Sequence, residues 1–90
     1  MKKDNLLCCD WGTSNFRLSL VDLATEWIIG MVKSKQGIAT TFDAWKRSPT
    51  KNRAHFYRAF LNTQVQRLAI EVARNLEEVP IVLSLSLIHI

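Results

Sequence analysis

The sequence predicts a single α/β domain, and three observations carry that reading. Short apolar runs near the N-terminus alternate with polar residues and are separated by brief turns. A long stretch in the second half repeats its apolar residues at steps of three and four. A further apolar run follows Pro80. At 90 residues with 48% hydrophobic and 22% charged content, the chain has room for one small core. Folding at this size removes roughly 60 to 65% of the extended chain's surface from water.

The run Asn5 to Cys9 is short, apolar and bounded by charge, so it reads as a strand buried on both faces. After the polar interruption Asp10 to Asn15, apolar and polar residues alternate from Phe16 to Asp22. This predicts a second strand with one wetter face. Trp27 to Val32 makes a third strand after a turn at Asp22 to Glu26. Connections this short join antiparallel neighbours, because a parallel pair needs a crossover of about a dozen residues. A three-stranded antiparallel meander is therefore expected.

Ser48, Pro49 and Asn52 offer helix-start chemistry. From His55 to Leu76 the apolar positions Tyr57, Leu61, Val65, Leu68, Val72 and Leu76 line one side, with Phe60 and Ala69 widening the stripe. Arg58, Asn62, Gln66 and Arg74 fall largely on the other. Glu77 and Glu78 end the helix, Pro80 prevents its continuation, and Ile81-Val82-Leu83 opens a fourth, buried strand.

Lys and Arg total 12 against 8 Asp and Glu, giving a net charge of +4. That bias favours anions in general without choosing among them. The sequence has no run approaching eighteen apolar residues and no signal-peptide pattern, so a cytoplasmic protein is expected. Adjacent Cys8 and Cys9 point to opposite faces of a strand and have no further cysteines for a framework, so both read as reduced packing residues. With only Gly12, Gly30 and Gly37 available, neither a P-loop nor a Gly-x-Gly-x-x-Gly dinucleotide turn can be assembled.

The chemistry concentrates at the first turn, Asp10-Trp11-Gly12-Thr13-Ser14-Asn15-Phe16-Arg17. A carboxylate ending a strand can hold a hydrated magnesium ion through one or two contacts. Gly12 admits close backbone approach, and Thr13, Ser14 and Asn15 add hydroxyl, amide and main-chain donors that suit a phosphate. The same residue types also serve an ordinary tight turn. Elsewhere, Lys46 to Arg58 carries five basic residues and no acid, which reads as a solvated loop and helix start or as a small polyanion-binding patch. His55 reads as a surface or capping residue, and Trp11, Trp27 and Trp45 as packing residues.

The Asp10 to Arg17 segment, flanked by strands, resembles the first phosphate motif of the actin-like ATPase superfamily, which has a ribonuclease-H-like fold. More closely it resembles the 2-keto-3-deoxygalactonate kinases (2-dehydro-3-deoxygalactonokinases), and the likeness continues through Gln36-Gly37-Ile38, Phe42-Asp43-Ala44-Trp45, Phe56-Tyr57 and Val79 to Ser84. The resemblance implies ATP and Mg2+ as cofactors, with Asp10 associated with the metal and Gly12, Thr13, Ser14, Asn15 and Arg17 facing the nucleotide phosphates. It places Gly37 and Ile38 near a small sugar-acid substrate, although Gly37 also reads as the end of the third strand. Phosphoryl transfer to that sugar acid is the implied reaction, with no nucleic acid or membrane partner. Residues 1–84 then correspond to the N-terminal portion of the first domain of a two-domain kinase, with the catalytic residue expected beyond residue 90 and this piece inactive alone. Residues 85–90, Leu-Ser-Leu-Ile-His-Ile, depart from the family pattern and coincide with a translated transposase mosaic-end adapter, CTG TCT CTT ATA CAC ATC. They are expected to be an adapter-derived tail.

Overall fold

The computed structural model describes residues 4–50 and 52–85. It contains β1 (Asn5–Trp11), β2 (Phe16–Asp22), β3 (Trp27–Ser34), α1 (Ile38–Arg47), α2 (Arg53–Val72) and β4 (Ile81–Leu85). The strands form one mixed sheet in the order β3-β2-β1-β4. β1 pairs antiparallel with β2 and β2 with β3, as the short connections require, while β4 returns parallel to β1 after the two helices.

Alternation along the strands gives the sheet two unequal faces. Leu7, Cys9 and Trp11 of β1, Phe16, Leu18 and Leu20 of β2 and Val32 of β3 are buried, and Leu68 of α2 closes over them. Trp11 is the hub of an aromatic cluster, meeting Phe16 edge-on at 5.3 Å and tilting against Tyr57 at 5.5 Å and Phe60 at 5.2 Å. Gly30 lets α2 cross β3 closely, since a Cβ there would run into the Val72 side chain. The opposite face holds Leu6, Cys8 and Met31, all half-buried, and Asp10 and Arg17, which are exposed. β1 is therefore fully buried on one face only.

The structure adds one helix and corrects four other expectations. The 38–47 segment is helical, with Ile38, Phe42 and Trp45 on one side; its β-branched Thr40-Thr41 pair and the preceding glycine obscure it in the sequence. Ser48 consequently ends α1, its hydroxyl and N–H both donating to the Trp45 carbonyl, and does not start α2. Asn52 does start α2, accepting from the His55 N–H at 2.9 Å. The long helix stops at Val72 and not at Leu76, because Ala73 takes a left-handed conformation and Arg74 donates to the Ala69 carbonyl. Leu76 is nevertheless buried, reaching the core from the following loop. β4 lies at the sheet edge with Ile81, Val82 and Leu83 38%, 54% and 50% exposed, where a buried strand is expected. Trp27 is likewise exposed at the outer strand and takes no part in the core.

Candidate functional site

The site is the loop joining β1 to β2. Trp11 and Phe16 form its last cross-strand pair, and both rings are buried, so the intervening four residues are held at a fixed point on the sheet rim. Gly12 N–H donates across the loop to the Asn15 carbonyl at 2.8 Å. That donor is engaged within the turn. A Cβ at Gly12 would make only an ordinary contact, 3.6 Å from the Asn15 oxygen.

The start of α1 docks directly onto this loop. Ile38 N–H donates to the Gly12 carbonyl at 2.8 Å and Ala39 N–H to the Thr13 carbonyl at 3.1 Å. Two of the amides that a helix leaves unsatisfied at its N-terminus thus find acceptors in the turn. Gly37, the N-cap, lies against the Thr13 and Asn15 backbone with no space for a side chain. The third strand ends earlier, at Ser34, so Gly37 is not its terminator. Gly37 and Ile38, expected near a substrate, join the turn to α1. Thr41 locks the same helix start by donating its hydroxyl to the Gly37 carbonyl at 2.8 Å while fully buried.

Asp10 ends β1 on the open face, and Arg17 stands directly opposite it on β2. Their side chains meet at 3.3 Å, both more than half exposed. An exposed pair of this kind contributes little to stability, about 0 to 1 kcal/mol, so both groups can exchange partners readily. Around them opens a cleft of about 690 Å³ lined by Asp10, Gly12, Thr13, Ser14, Asn15, Phe16 and Arg17 together with Lys33, Ser34 and Lys35 of β3 and its end. The cleft brings together every first-turn residue expected at a phosphate site; Gly37 and Ile38 lie outside its lining. Lys33, Ser34 and Lys35 are the residues sequence reasoning missed. Strand register is the signal that would have found them, since Lys33 pairs with Arg17 across β2 and β3.

Among the described residues no three His, Cys, Asp or Glu side chains cluster as metal ligands. The donor set at the cleft still suits a hydrated magnesium ion, which needs one carboxylate, such as Asp10, and takes its other oxygens from water and phosphate. One face lower in β1, Cys9 is excluded from this chemistry. Burial first, and the neighbouring Asp10 charge second, raise its thiol to about 11. No helix among the described residues is long and apolar enough to cross a membrane. No family model, curated protein or solved structure matches the chain.

Proposed function

We propose that this chain is the nucleotide-phosphate portion of an ATP-dependent sugar-acid kinase of the 2-dehydro-3-deoxygalactonokinase type, with an actin-like, ribonuclease-H-like first domain. The observation that carries the reading is the placement of Asp10, the 12–15 loop and Arg17 around one open cleft at the end of a central strand. The order of three antiparallel strands, helices and a parallel fourth strand is consistent with it.

In this reading Asp10 orients a hydrated magnesium ion through its carboxylate. Bound there, a magnesium ion would supply neutralisation of phosphate charge. Ser14 and Asn15, both exposed at the loop tip, hydrogen-bond the terminal phosphates. Arg17, paired with Asp10 only through an exposed contact, would offer its guanidinium to a phosphate oxygen. Gly37 and Ile38 act through the turn, holding its shape. The reading places the protein in the cytoplasm.

The test is to incubate the chain with magnesium-ATP and 2-keto-3-deoxygalactonate. Nucleotide binding without ADP release above a no-protein control is expected, because positioning both substrates supplies most of the rate. Sugar-acid-dependent turnover that disappears in Asp10→Ala would contradict this division of labour.

A further inference from the structure

We infer that Lys33, assisted by Lys35, is the second cationic arm of the cleft and binds the polyphosphate portion of its ligand. The inference rests on the phosphate-site reading of the same cleft and extends it to β3. Three observations support it. Lys33 lies directly opposite Arg17 in the β2–β3 register, and Arg17 lies directly opposite Asp10, so one row across three strands reads cation, cation, anion. Neighbouring strands are about 4.8 Å apart, a separation at which like charges facing one another destabilise a sheet. Among the described residues the one ion pair is that of Arg17 with Asp10, and no acid serves Lys33.

The Lys33 side chain is exposed and lines the cleft, as does Lys35 two residues on. Its backbone is fixed from the other side, where Arg67 of α2 donates to the Lys33 carbonyl at 3.5 Å and to Gln64. The lining therefore holds Arg17, Lys33 and Lys35 against Asp10, an excess of two positive charges that a single carboxylate cannot neutralise. A ligand carrying several negative charges in a short span relieves that repulsion, and a linear polyphosphate spans the row. A monoanion satisfies only one of the cations.

The experiment titrates inorganic triphosphate into the 90-residue chain without magnesium, alongside Lys33→Gln, Lys33→Arg and a control cation outside the cleft, Arg74→Gln, with circular dichroism confirming that each folds. Lys33→Gln is expected to weaken binding about three- to tenfold, the range of an exposed charge-assisted contact, with Lys33→Arg and Arg74→Gln staying within about twofold. Equal weakening by Lys33→Gln and Arg74→Gln, no effect of Lys33→Gln, or no triphosphate binding at all would overturn the inference. A second arm repeats the titration with ATP with and without magnesium. Lys33-dependent triphosphate binding without any magnesium-dependent gain for ATP would uphold the cationic arm while contradicting the kinase reading. A magnesium-dependent ATP site indifferent to Lys33 would do the reverse.

Discussion

Gly37 packs against the backbone of Thr13 so tightly that a β-carbon added to the glycine would overlap the Thr13 carbonyl. The φ of Gly37 is −75°, a value any residue adopts, so the constraint is one of space and not of backbone conformation. The candidate phosphate turn and the first helix consequently behave as one piece. Hydrogen bonds from Ile38 and Ala39 to the carbonyls of Gly12 and Thr13 add to that contact.

Gly37→Ala should therefore destabilise the fold by about 1 to 3 kcal/mol, the cost of forcing a group into filled space. Gly12→Ala, where the same added atom meets only an ordinary contact, should change stability by less than about 1 kcal/mol. Urea denaturation of the two variants checks the difference. Equal stabilities would show that the turn and helix are not packed as described.

Ala73 closes α2 at φ 56° and ψ 46°, a left-handed conformation in which a β-carbon costs about 1 kcal/mol or more. Ala73→Gly removes that strain while adding some freedom to the unfolded chain. A net gain of about 0.5 to 1 kcal/mol is expected, read as a higher denaturation midpoint.

Cys9 and Cys8 are adjacent yet chemically unlike. The Cys9 thiol is raised from 9.0 to about 11, and Cys8 on the opposite face is half-buried. Because the folded value lies above the unfolded one, the neutral thiol stabilises the fold fully below pH 9. That contribution fades as pH rises from 9 through 11 and amounts to on the order of 2 kcal/mol. Alkylation at pH 8 should modify Cys8 first, leaving Cys9 protected until the chain unfolds. Comparison of the stability of Cys9→Ala with the unaltered chain at pH 8 and pH 10.5 isolates the titration, with the gap narrowing at the higher pH.

The meander and the α2 stripe were legible because alternation and the three-four period are local properties of the chain, and Asn52 was legible because N-cap chemistry is local too. Helix α1 was hidden by Gly37, whose role depends on a turn 22 residues earlier in the sequence, and by a threonine pair of low helical preference. The end of α2 was misread because Leu76 keeps the inward direction after the helix has stopped. Burial of β4 could not be read from its composition, since an apolar strand at a sheet edge and one at its centre have the same residues. At the site, the first-turn residues were visible as a contiguous motif. Lys33 and Lys35 were not, because only strand register brings them beside Arg17.

The most direct measurement is calorimetric titration of ATP into the chain with magnesium and with chelator, repeated for Asp10→Asn and for His55→Ala, whose exposed side chain stands in the first turn of α2 away from the cleft. Binding is expected to require magnesium, to weaken about tenfold or more in Asp10→Asn and to stay unchanged within a few-fold in His55→Ala. ATP binding indifferent to magnesium, or equal losses in the two variants, would contradict the assignment of nucleotide chemistry to the Asp10 to Arg17 turn.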